Sequence, residues 1–145
     1  MGQQQLLLVI LVTIIVGIAT VVAINTFSSA SDSANVDAAR QDILSMASTA
    51  QGWYMKPAMM GGGGQDFTNT NGDQIEIDDI CQGTVDGTDC VTENGTYSIQ
   101  SRSTDEFEIQ GTPSTAGGTL TAFIVPDNIL QTSGGSEGIA YTAGS

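Results

Sequence analysis

The chain has 145 residues, no histidine, and three basic against sixteen acidic side chains, for a formal charge of −13. That charge excludes a nucleic-acid backbone as partner, and the missing histidine removes both the usual neutral-pH acid–base group and the commonest transition-metal ligand. About 90 residues lie beyond the helical region, enough for one small domain whose core gains from a staple.

Residues 6–24, LLLVILVTIIVGIATVVAI, form a run of nineteen without a charge. At 1.5 Å per residue they make a helix of about 28 Å, close to the ~30 Å hydrocarbon core of a bilayer. Thr13 and Thr20 can return their hydroxyls to the helix backbone, so neither forbids burial in an apolar environment. Gly17 either permits close helix contact or reflects the frequency of glycine in membrane helices. No basic residue precedes Arg40, and Asp32, Asp37 and Asp42 follow the run, which orients the N-terminus to the cytoplasmic face and the rest outside. The run also resembles a signal-peptide core, with SSA at 28–30 as an A-x-A-like site. It lacks a basic n-region and is long for that role, so a retained span is expected.

Residues 25–37 are polar but contain no proline or glycine, and the helix is expected to continue through them. From there Val36, Ile43 and Ala50 recur at seven, with Ala39, Met46 and Trp53 three further on, forming one apolar stripe. These six residues are expected to pack the helix against the strands of the head, with Asp32, Asp37 and Asp42 as solvated charges on other faces. The helix should end between Gly52 and Pro57, because four glycines at 61–64 disfavour its continuation. Met55, Met59 and Met60 near that break read as contact surface in an assembly or as core filling.

The remainder reads as short strands. Residues 74–78, 95–100 and 106–110 alternate apolar and polar, and SRSTD suits a hairpin between the last two. Residues 119–125 are the most apolar strand candidate, and 138–142 suggest a final short one. Three or four antiparallel strands are expected, one face on the helix stripe and the other wet. The fold class is therefore α+β: a hydrophobic stem at 1–30, an amphipathic helix at 31–58, and a strand-rich head at 59–145.

Cys81 and Cys90 are the only cysteines, and outside the cytoplasm such a pair is most simply a disulfide. Two cysteines without histidine make a poor zinc site, and their spacing is too long for a C-x-x-C redox motif. Asp86 and Asp89, in DGTD, offer oxygen ligands of the kind calcium takes. The twelve-residue calcium-loop pattern is absent, however, so a solvated acidic loop without metal is expected. Nothing in the spacing selects a carboxylate pair for glycoside hydrolysis. There is no G-x-S-x-G, the glycine run lacks the lysine of a phosphate loop, and no C-x-x-C-H marks haem, so neither an enzyme nor a cofactor is expected. Asn94-Gly95-Thr96 matches the N-glycosylation pattern, while its Asn-Gly pair is equally a turn signal.

The order of a hydrophobic helix from near residue 1, an amphipathic continuation to about residue 55, and a stapled strand-rich head resembles the type IV pilin superfamily, including pseudopilins and archaeal pilins. In that family a dedicated prepilin peptidase removes a short leader, and the new N-terminus is often methylated. The resemblance implies that Met1 is the processed, methylated end and that Gln5 occupies the place of the family's glutamate, with the stem beginning at Leu6. Gln5 can accept a hydrogen bond but cannot supply that glutamate's charge to a neighbour's amine. The family's mid-stem proline is also missing, with Val22 near its place, so the stem should stay helical where many pilins melt.

On this reading Gln5, Leu6, Leu7, Val9, Ile10, Ile14, Gly17, Ile18, Val21, Val22 and Ile24 line a filament core. The partners implied are copies of this chain in a helical homopolymer, the cytoplasmic membrane before assembly, and the pilus assembly machinery. The chain would be the major subunit of an extracellular filament. The alternatives are a single-span anchored surface protein with a binding module, or a pseudopilin of a secretion system.

Overall fold

A computed structural model describes residues 2–68 and 74–144. It shows an α+β fold and divides the chain into two compact units, residues 1–34 and 35–145. Helix α1 (Gly2–Met55) runs through both.

Within residues 2–34 the helix is held by its own backbone and by side chains folded back onto it. Thr13 donates to the carbonyl of Ile10, and Thr20 to that of Val16. Thr26 and Ser33 donate in the same way, to Val22 and Ser29. These hydroxyls are therefore satisfied without leaving the helix, the condition for placing them in an apolar medium. The helix continues unbroken past Val22 and through the polar residues that follow it.

In the second unit α1 buries Val36, Ala39, Ile43, Met46, Ala47, Ala50 and Trp53 along one face. The sheet supplies the other half of that core. Strands β1 (Thr84–Asp86), β2 (Asp89–Val91), β3 (Gly95–Arg102), β4 (Phe107–Pro113), β5 (Thr119–Ile124) and β6 (Ile129–Leu130) pair in chain order, and β7 (Ala140–Thr142) pairs with β5 beside β6. Every pairing is antiparallel. Burial alternates along β4 and β5, so Phe107, Ile109, Leu120, Ala122 and Ile124 join the helix residues in one buried cluster. Gly111 lets this happen: a Cβ there would lie 2.6 Å from the Tyr97 ring and 3.3 Å from the end of Ile43.

Three expectations need correction. Residues 74–78 are not a strand; a short helix α2 (Ile77–Ile80) begins inside that stretch. The Glu76 side chain accepts from the backbone of Asp79 while the Asp79 side chain accepts from the backbone of Glu76, a reciprocal cap that turns the chain. Among the described residues the sheet has seven strands rather than three or four. The additional β1–β2 hairpin turns through Gly87 and Thr88, with Gly87 at φ 66°, a position that favours glycine in two-residue hairpin loops. Asp42 is not a solvated charge, as described below.

The four glycines close α1. The amides of Gly63, Gly64 and Gln65 donate to the carbonyls of Trp53, Lys56 and Tyr54 at 2.8–2.9 Å. Gly61 and Gly64 take positive φ, and a Cβ on Gly63 would lie 2.4 Å from the Trp53 ring. A helix otherwise leaves its last carbonyls without partners, and this loop provides them.

Candidate membrane and assembly surface

From Leu6 to Phe27 α1 carries fifteen large apolar side chains, each at least 48% exposed. The predicted filament-core residues Leu6, Leu7, Val9, Ile10, Ile14, Ile18, Val21, Val22 and Ile24 are among them, and Gln5 is exposed as well. A Cβ added at Gly17 would meet no atom within 4 Å, so its surface is open. Met1, the expected processing and methylation position, lies outside the described residues. The segment is long and apolar enough to cross a membrane. Phe27, at 78% the most exposed of the fifteen, stands beyond the apolar run of residues 6–24 and was not marked by sequence reasoning. A lone aromatic just past an apolar span was the available signal.

The second unit is bound together by polar residues flanking the helix stripe. Asp42 accepts hydrogen bonds from the Thr92 hydroxyl (2.8 Å), the Tyr97 hydroxyl (3.0 Å) and the Asn94 amide, which reaches both carboxylate oxygens at 3.1 and 3.2 Å. Tyr97 is fully buried, and burial first, then the Asp42 charge, hold its phenol well above the ordinary tyrosine range. Asn35 donates to the Asn94 carbonyl and accepts from the amides of Thr115 and Ala116. Gln51 donates to the carbonyls of Val125 and Asn128. Tyr54 donates to Asp105 at 3.2 Å; desolvation, followed by that hydrogen bond, raises its phenol as well.

The six residues expected to pack the helix on the head, Val36, Ala39, Ile43, Met46, Ala50 and Trp53, all lie in the buried cluster. Cys81 and Cys90 form a disulfide with Cα atoms 5.5 Å apart, joining the end of α2 to the middle of β2. Asp86 and Asp89 face each other as register partners across the β1–β2 turn. Among the described residues no group of three or more His, Cys, Asp or Glu side chains is placed to hold a metal ion. Asn94 sits in the turn before β3, and its Nδ2, the atom a glycan would take, points at Asp42.

Fold and surface together define a class: an α+β protein with a long N-terminal apolar helix whose amphipathic continuation packs on a small antiparallel sheet with one disulfide. That architecture is consistent with the pilin superfamily. No protein-family model, curated protein or solved structure matches the chain.

Proposed function

We propose that this chain is a non-catalytic structural subunit of an extracellular type IV pilus-like filament. The observation that carries the reading is the set of fifteen exposed apolar side chains on residues 6–27. Leaving such side chains in water costs roughly 1.5–3 kcal/mol apiece, so the segment requires an apolar environment. A bilayer supplies it before assembly. A bundle of identical helices supplies it afterwards, and head-to-tail contacts that do not close generate a helical filament. Residues 1–30 would form the filament core around Gln5, Leu6 and the apolar residues after it. The acidic head would face solvent, where its charge opposes nonspecific bundling. A prepilin peptidase and the pilus assembly machinery would be its processing partners, and Met1 its processed end.

A second reading rests on the same helix, which satisfies the length and composition of a lone membrane span. It makes the protein a single-span anchored surface module, or a pseudopilin within a secretion machine. Electron microscopy of sheared extracellular fibres, with mass spectrometry of the subunit N-terminus, separates these. Fibres built mainly from this chain, with a processed and methylated Met1, are expected. Recovery only from membranes, unassembled and unprocessed, would refute the filament.

A further inference from the structure

Three of the chain's five methionines gather at the C-terminal end of α1. Met55 is the last helical residue, and Met59 and Met60 belong to the 3-10 turn Ala58–Met60 that follows. Their exposures are 70%, 99% and 68%, against 0% for Met46 in the core of the same unit. The backbone here is held without their side chains: the amides of Met60 and Gly61 donate to the carbonyls of Pro57 and Ala58, and those of Gly63 and Gln65 donate to the end of α1. None of the three belongs to the buried cluster. Trp53, the only tryptophan, lies beneath the Gly63 backbone and is 9% exposed.

With both cysteines in a disulfide, exposed thioethers are the side chains here most open to two-electron oxidation, and outside the core their sulfoxides displace no packing. We infer that Met55, Met59 and Met60 form an oxidant-accepting surface that reacts with hydrogen peroxide ahead of the core. A sulfur lone pair attacks one peroxide oxygen, the O–O bond breaks and an S–O bond forms. The departing hydroxide takes the remaining proton and leaves as water, so sulfur loses two electrons and the peroxide gains them. The product is a polar sulfoxide at a place where polarity displaces no core contact. At Met46 the same product would put a polar group among apolar side chains without a partner, at a cost to the fold. The inference does not depend on the filament reading.

The test is dilute hydrogen peroxide on the full chain in peroxide-free detergent micelles, followed by site-resolved peptide mapping with circular dichroism and Trp53 emission on the same samples. Met59 should be oxidised first, with Met55 and Met60 within about fivefold of it, in line with their exposure. Met46 should react at least about a hundredfold more slowly, because it must wait for the unit to open. Dichroism and emission should be unchanged when the three outer sites are fully converted. A variant carrying M55L, M59L and M60L should lose the fast oxidation mapped to these three sites and, at a limiting peroxide dose, show more oxidation at Met46 than the native chain. Comparable rates at Met46 and Met59 in the native chain, or loss of its native dichroism as the three convert, would overturn the inference without reference to the variant.

Discussion

Replacing Asp42 with alanine should unfasten α1 from the β2–β3 region. Three side chains donate to its carboxylate, and they are not equivalent. Thr92 and Asn94 are half-buried, so water can replace Asp42 for them, and each loss should cost under about 1 kcal/mol. Tyr97 is fully buried, and without Asp42 its hydroxyl keeps only the Ala39 carbonyl at a poor 3.4 Å and the Thr92 hydroxyl as neighbours. A stranded buried hydroxyl costs about 1–3 kcal/mol. Asp42→Ala should therefore destabilise the second unit by about 3 kcal/mol, lowering its Tm by roughly 10–15 °C. Tyr97→Phe removes one donor and leaves Asp42 the other two, so it should cost about 1 kcal/mol. Because the two residues share one hydrogen bond, the double variant should fall short of additivity by about 1 kcal/mol. Thermal unfolding of the full chain in detergent, read by near-UV dichroism, measures all four corners. Asp37→Ala is the control, since Asp37 is exposed and pairs with Arg40 at 3.2 Å, a surface contact of about 0–1 kcal/mol. If Asp42→Ala costs no more than Asp37→Ala, or the cycle is additive, the clasp is not what the geometry makes it.

Gly111→Ala should cost about 1–3 kcal/mol by pushing its methyl into Tyr97, visible as a lower denaturant midpoint in the same micelles. Replacing Cys81 and Cys90 together by serine opens a ten-residue loop and should cost about 2–3 kcal/mol by the chain-entropy estimate. Hydrogen exchange should then rise first at residues 84–91, since every residue of β1 is exposed and adds little burial. Tyr97 keeps its proton to higher pH in the folded chain than in the unfolded one, whose phenol titrates near pH ~10. The unfolded state thus releases the proton first, so this contribution is fully present below pH ~10 and is lost as pH rises through the folded value. Alkaline unfolding of Tyr97→Phe should accordingly show a shallower slope, and a slope equal to that of the native chain would contradict the assignment.

The apolar features of this fold were legible because their period is local. Val36 through Trp53 announce a helix face at steps of three and four, and β4 and β5 show the alternation that exposes one side of a sheet. What escaped depends on partners far along the chain. Asp42 looks like any helix-surface acid until Thr92, Asn94 and Tyr97, at least fifty residues away, are brought to it. Ile75 and Ile77 alternate as a strand would, yet Ile80 continues their buried face and the Glu76–Asp79 exchange favours a helical turn. In DGTD the aspartates suggested a ligand, while Gly87-Thr88, with glycine first in a two-residue loop, carried the hairpin signal. The second unit's polar attachments through Asn35 and Gln51 left no periodic trace, since each binds the backbone of a loop.

The glycine loop at the end of α1 has an electrical consequence. A 54-residue helix terminates in carbonyls worth about half a negative charge, and this chain is already strongly anionic with no basic residue in the last helical turn. Neutralising that pole with a cation would make the helix end sensitive to dissolved salt, as exposed charges are. Besides Lys56, one residue past the helix, amides of Gly63 and Gln65 cover the Trp53 and Tyr54 carbonyls through short, directed bonds that mobile ions do not screen. Added salt therefore weakens the mutual repulsion of the sixteen carboxylates while leaving the termination of the helix as it was.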